Sequence, residues 1–221
     1  MPRNNRSGFS LIEISIILII IGVLLAAATT SKDLIENSRL KKVILEVESI
    51  KTALKTFHGS YDAMPGDFAK AEDYWGADNT ANGDGDGMVE YSAESFYVFA
   101  HLDLAKTLHG EHSPDADNYA FVSKFPGTTI RLLNTQSLSG FAYAGVNVLQ
   151  VGASTTTDDP VFIPEEAKQI DDKFDDGAPN LGRVTYRETT NTTSLKCTND
   201  TEEYYVAYKL IACNLVFRTD I

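Results

Sequence analysis

The chain has 221 residues, 43% of them hydrophobic, with 19 Lys and Arg against 31 Asp and Glu, for a formal net charge of -12. That acidity, with no basic cluster interleaved with aromatics, excludes nonspecific binding to nucleic-acid phosphates. No phosphate-cradling glycine loop, nucleophile elbow or zinc-hydrolase helix occurs, so the residues do not describe an enzyme.

The first element is a short polar segment, Met1 to Gly8 (MPRNNRSG), carrying Arg3 and Arg6. Gly8 to Ala28 then reads GFSLIEISIILIIIGVLLAAA, where Glu13 is the one ionisable residue. From Phe9 to Ala28 the run is about 20 residues, or about 30 Å as a helix, which matches a bilayer core. A carboxylate in such a span costs about 2.5 to 3.5 kcal/mol, so it needs a partner. Cleavage between Gly8 and Phe9 would create one, an α-ammonium on Phe9 one helical turn from Glu13. At about 4 Å and an effective dielectric near 20 the pair is worth roughly 4 kcal/mol, enough to offset insertion. The residues leave open whether it forms within one chain or between neighbours. The alternative is an ordinary signal peptide: Arg3 and Arg6 are its charged region, Leu11 to Leu25 its apolar core and Ala26-Ala27-Ala28 its cleavage site. It would leave a secreted or membrane-anchored calcium-binding domain that does not polymerise, with Glu13 unexplained.

The run Gly8-Phe9-Ser10-Leu11-Ile12-Glu13 behind a short basic leader resembles the N-terminal signal of type IV pilins and type II secretion pseudopilins. The resemblance implies that a prepilin peptidase cuts after Gly8 and methylates the Phe9 amine. It also implies that Glu13 of an incoming subunit meets the Phe9 amine of one already in a filament. The implied partners are copies of this chain and other pilins, an inner-membrane assembly platform and membrane lipid, with no nucleic acid. The implied location is the bacterial inner membrane with the C-terminal head outside the cytoplasm, then a filament in the periplasm or at the cell surface. Loss of Arg3 and Arg6 would take the charge from -12 to -14, that is -12 minus two.

Between Thr29 and Phe57 there is no Pro or Gly, and Leu40, Val43, Val47, Ile50, Leu54 and Phe57 recur at three- and four-residue steps. This is one apolar stripe on a helix running to about His58. Lys32, Arg39, Lys41, Lys42, Glu46, Glu48, Lys51 and Lys55 fall largely off it, as a face in water would. Gly22 is the weak point of the apolar half, at about 1 kcal/mol relative to Ala. The organisation is therefore a leader (1–8), a transmembrane and assembly half of the spine (9–28), an amphipathic half (29–58) and a head (59–221) with one core.

In the head, Asn82, Asp84 and Asp86 alternate with small residues and Gly87 follows, inside the loop 78–94. This resembles the first half of the calcium loop of helix-loop-helix proteins, with the Met88 carbonyl at position seven. The second half departs from it, because Ala93 stands where a bidentate acid belongs. The expectation is Ca²⁺ on Asn82, Asp84, Asp86 and Met88, completed by Glu90 or Glu94; the alternative is a Gly/Asp turn that binds nothing. Val89 would pin the loop to the core. Met64-Pro65-Gly66-Asp67, Ala71, Trp75-Gly76, the NGDGDG run, Glu94 and His101-Leu102 resemble, in that order, a pilin-like subgroup with a calcium turn after the long helix. Asp67 is expected to cap a short helix, Phe68 to Tyr74. A second helix is expected over Ala93 to His109, with Phe96, Phe99, Ala100, Leu104 and Leu108 inward.

Beyond it, Tyr119 to Phe125, Thr129 to Leu133, Gly140 to Val151, Gly182 to Glu188 and Tyr204 to Phe217 are β-prone, with a short helix at Glu165 to Asp171. The fold class is α+β, a long helical spine packed on an antiparallel sheet, as in pilins. Asp171 to Gly177 reads as either a second ion site or a solvated helix end. His109-Gly110-Glu111-His112 has metal-like residues in a loop without a third ligand. Cys197 and Cys213 read as one disulfide, the position in which many pilins pin their C-terminal region, or as two buried free thiols.

Overall fold

A computed structural model describes residues 10–91, 94–110, 120–136, 144–153, 159–187 and 196–221, without the side chains of 26–34. The leader, Phe9, His112 and most of the STTTDD stretch at 154–159 lie outside these residues. The chain divides into two compact units, 1–39 and 40–221. Helix α1, Leu11–Tyr61, contributes to both.

In the first unit every side chain from Leu11 to Leu25 is exposed, Leu11 by 90% and Leu25 by 65%. Among the described residues no helix is long and apolar enough to cross a membrane. The expected span, Phe9 to Ala28, includes Phe9 and the side chains of Ala26 to Ala28, which lie outside those described.

In the second unit the stripe read from the sequence is the core face of α1: Leu40, Val43, Val47, Ile50, Leu54 and Phe57 are fully buried. They pack in one cluster with Ile130, Leu132, Leu149, Val151, Leu215 and Phe217. Those residues come from a five-stranded sheet of β1 (Phe121–Val122), β2 (Thr128–Asn134), β3 (Asn147–Ala153), β4 (Val184–Tyr186) and β5 (Leu215–Arg218). Its order is β1-β2-β3-β5-β4 and every pairing is antiparallel. Leu132 faces Leu149 and Leu149 faces Phe217, so one register carries apolar residues across three strands. The described elements are α+β, as expected.

Two residues assigned to the solvated face of α1 are buried. Glu46 accepts hydrogen bonds from Ser123 Oγ at 2.5 Å and Lys124 N at 2.9 Å, which ties the strand end after β1 to the helix. Lys51 lies over the Phe174 ring, 5.7 Å from its centre. Helical periodicity identifies the core stripe but not which flanking charges a neighbouring element covers.

Other boundaries move for local reasons. The expected helix over 68–74 is α2, Ala71–Trp75, and Asp67 does not cap it. The helix expected over 93–109 is a 3-10 turn, Glu94–Phe96, followed by α3, Val98–Leu104. It stops because Lys106 takes a left-handed φ of 58° and the Thr107 N–H returns to the Leu102 carbonyl at 2.9 Å, a Schellman-type ending. Phe96 is half-buried, not part of the core. The short helix is longer than expected: α4, Pro164–Phe174, starts at a proline, and Glu166 Oε2 accepts the Ile163 N–H at 3.0 Å. The strand expected over 204–217 is ordered as strand only at β5. Upstream, the Tyr205 N–H bonds the Cys197 carbonyl and the Tyr208 N–H bonds the Tyr205 carbonyl, forming turns. Cys197 and Cys213 form a disulfide, with Cα atoms 5.0 Å apart and a sequence separation of 16. Closing a loop of this size contributes about 3 kcal/mol in the chain-entropy model.

Candidate functional site

At the start of α1, Ser10 and Glu13 form a reciprocal pair. The Ser10 N–H donates to Glu13 Oε2 at 2.9 Å, and the Glu13 N–H donates to Ser10 Oγ at 3.2 Å. This is a capping box, which satisfies two backbone donors the helix leaves open and puts a carboxylate at the positive end of its dipole. The sequence reading missed it, although Ser-x-x-Glu before an apolar run is its signature. Gly8 and Phe9, the expected processing site, lie outside the described residues. Glu13 is thus oriented by its own helix through Ser10.

The second candidate is the glycine-rich loop. After α1 the chain turns at Pro65-Gly66, and the Gly66 N–H donates to His101 Nδ1 at 2.9 Å. Because Nδ1 accepts there, the ring proton sits on Nε2, 2.6 Å from Thr80 Oγ1. His101 is fully buried, with Phe57 and Trp75 rings 6.2 and 5.5 Å away, and burial lowers its pKa to about 4. A lowered folded-state value means stability that is present above the unfolded value of 6.5 and is lost as pH falls towards 4. That loss approaches about 3 kcal/mol. Two carboxyls oppose it. Burial raises Glu94 to about 8, assisted by Glu90, and raises Asp171 to about 7, so both favour the folded state on acidification. Comparing unfolding midpoints of the wild type and His101→Gln between pH 7 and pH 4 isolates the histidine: the wild type is expected to fall more steeply.

Asp67, buried to 1% exposure, is the residue the sequence reading placed wrongly. Its carboxylate accepts the Gly85 N–H at 2.5 Å and the Gly87 N–H at 2.8 Å. Both glycines have positive φ, 80° and 89°, which turns their N–H groups to one side. Burial raises the Asp67 pKa against the effect of those two donors. Gly83 passes so close that a Cβ would lie 2.4 Å from the Asp67 Cα, which leaves no room for any other residue. On the other side, Glu94 accepts from the Asp84 N–H at 2.9 Å and the Glu90 N–H at 3.2 Å. The loop end is pinned where expected: Val89 is fully buried, its N–H donates to Asn147 Oδ1, and its carbonyl accepts the Asn134 N–H.

Carboxylate oxygens therefore converge. One from each of Asp67, Asp84 and Glu94 lie within 4.8 Å of one another, as do one from each of Asp84, Asp86 and Glu90. Of the expected ligands, Asp84, Asp86 and Glu90 share one group, while Glu94 joins Asp84 in the other, beside Asp67. Asn82 Oδ1 instead accepts the Glu72 N–H at 2.9 Å, in the first turn of α2, and the Met88 N–H donates to Asp86 Oδ1 at 2.7 Å. Oxygen-only donors with several carboxylates suit a hard divalent cation such as Ca²⁺.

The remaining sequence candidates are quieter. Asp171, Asp175 and Asp176 also lie within 4.8 Å, but Asp171 accepts Tyr204 OH at 2.9 Å, Asp175 accepts the Arg183 N–H and Asp176 accepts the Ala178 N–H, the bonding of a helix end. His109 Nδ1 is 3.3 Å from Asp103 Oδ1, with both side chains exposed.

No curated protein and no solved structure matches the chain. Residues 3–29 match the prokaryotic N-terminal methylation motif, so the exposed apolar start of α1 and its Glu13 belong to the prepilin-type signal of type IV pilins and pseudopilins.

Proposed function

We propose that the chain is a structural subunit, major or minor, of a type IV pilus or a type II secretion pseudopilus, cut after Gly8 and polymerised through α1. The methylation motif over residues 3–29 carries this reading. The exposed side chains from Leu11 to Leu25 support it, because that much apolar surface demands lipid before assembly and other subunits after it. The single pass then lies in the bacterial inner membrane with the head outside the cytoplasm, and the partners are other pilins, the prepilin peptidase and the assembly platform. Mass spectrometry of the protein from membranes and sheared filaments tests it: the expected N-terminal residue is N-methylated Phe9. A start at Thr29 would overturn it in favour of a secreted domain.

We also infer that the head loop takes Ca²⁺ through Asp84, Asp86, Glu90 and Glu94 with the Met88 carbonyl, Asn82 joining only if its Oδ1 gives up the Glu72 N–H. The support is two adjoining carboxylate groups that share Asp84, one with Asp86 and Glu90 and one with Glu94 and Asp67. Millimolar calcium outside the cytoplasm suffices for a site of modest affinity. The full chain in detergent should unfold later with Ca²⁺ than with equal Mg²⁺, by about 1.4 kcal/mol at ten times Kd. Equal midpoints with both ions would remove the assignment.

A further inference from the structure

We propose that the head binds a small oxyanion, phosphate in size and chemistry, in a polar pocket where Lys51 and Lys55 of α1 face Arg183. The pocket has a volume of about 300 Å³. Glu48, Lys51 and Lys55 fall on one side of it at spacings of three and four residues along α1, and Phe174, Arg183 and Asp220 close the other side.

Lys51 is the reason to expect a ligand. It is only 9% exposed, yet among the described residues its ammonium has no hydrogen-bond or ion-pair acceptor, and the contact it makes is with the Phe174 ring. An ammonium carries three donors, and that of Lys51, which still meets solvent in the pocket and is not a buried unsatisfied atom, has only water to accept them. Burial lowers its pKa, and nearby Arg183 and Lys55 add to the effect while Glu48 and Asp220 oppose it. The acid closest to filling the gap is already engaged. Asp220 accepts from Arg183 Nε at 3.0 Å and from Arg183 Nη2, and Arg218 Nε lies 3.7 Å away. Arg183 accordingly holds the Asp220 carboxyl below its usual range. Glu48 is exposed on the rim. In a chain with a net charge of -12, this wall pairs Arg183 with Asp220 and leaves Lys51 and Lys55 against the single acid Glu48. An oxyanion in the pocket supplies acceptors to Lys51 and Lys55 together. Charge-assisted bonds of that kind are about twice as strong as neutral ones.

The test titrates sodium phosphate into the full chain in detergent micelles by calorimetry, with ionic strength held constant by sodium chloride. A saturable heat is expected in the wild type. Lys51→Met, which keeps the length of the side chain against Phe174, should weaken it about tenfold or more. Lys55→Gln alters an exposed residue and serves if the Lys51 variant does not fold; it too should weaken binding. No heat beyond the chloride control would mean that water alone satisfies Lys51, and would overturn the site. Unchanged affinity in a folded Lys51→Met, or in Lys55→Gln, would place the anion elsewhere and overturn it equally.

Discussion

Glu13→Leu is expected to leave the chain in the membrane fraction and to abolish filaments. Removing a charge from the apolar stretch favours insertion by about 2.5 to 3.5 kcal/mol, so loss of assembly in that variant cannot come from failed insertion. An ammonium–carboxylate pair worth roughly 4 kcal/mol per subunit corresponds to about a thousandfold in the constant for adding one subunit. The capping box complicates the interpretation, because Glu13 also accepts the Ser10 N–H. Two further variants separate the roles. Ser10→Ala removes the hydroxyl that accepts the Glu13 N–H, at about 1 kcal/mol of helix stability, and should still assemble. Glu13→Gln keeps an oxygen for the cap but no charge, and should fail like leucine. Filaments of normal yield from Glu13→Gln would show that the residue acts as a helix cap and not as a counter-ion.

The parts of this molecule legible in the sequence are those set by near neighbours. The stripe from Leu40 to Phe57 follows from a 3.6-residue period, and all six residues are buried. Most strand positions follow from β-branched and aromatic runs, with boundaries off by a few residues. The disulfide was legible because only two cysteines are present. Much of what escaped depends on distant partners. Asp67 looks like a helix cap because it precedes an apolar residue, but its partners are 18 and 20 positions away. Glu46 and Lys51 look like surface charges until the segment after β1 and the end of α4 cover them. The stretch 204–214 has β-prone composition, yet the tie from the Tyr205 N–H to the Cys197 carbonyl bends it into turns. Local features escaped as well: the Ser10–Glu13 capping box, the left-handed Lys106 that ends α3, and the Glu166 bond to the Ile163 N–H that starts α4.

Asp67→Ala is expected to lower head stability strongly by releasing the loop 78–94. The variant strips acceptors from the Gly85 and Gly87 N–H groups, which no longer have a reason to share one side of the loop. A donor left unpaired in a part-buried site costs about 1 to 3 kcal/mol, so the pair amounts to about 2 to 6 kcal/mol. Part of that is returned, because burial and the neighbouring charges of Asp86 and Asp84 already disfavour the Asp67 carboxylate. Without added Ca²⁺ the loss should therefore fall in the lower half of the range. With Ca²⁺ the carboxylates are neutralised in the wild type and the same substitution removes both the clamp and the ordered ion site, so the difference should widen. For a chain of this size each kcal/mol moves the midpoint by roughly 2 to 4 °C, giving a drop of about 5 to 20 °C across the two conditions. Asp67→Asn retains one acceptor but turns an amide against the other N–H, and should lie between. Gly83→Ala reaches the same end from the opposite direction, since its Cβ would force the Asp67 backbone away. A Asp67→Ala midpoint within 2 °C of the wild type in both conditions, measured by calorimetry on the full chain in detergent, would mean that Glu94 alone holds the loop through the Asp84 and Glu90 N–H groups.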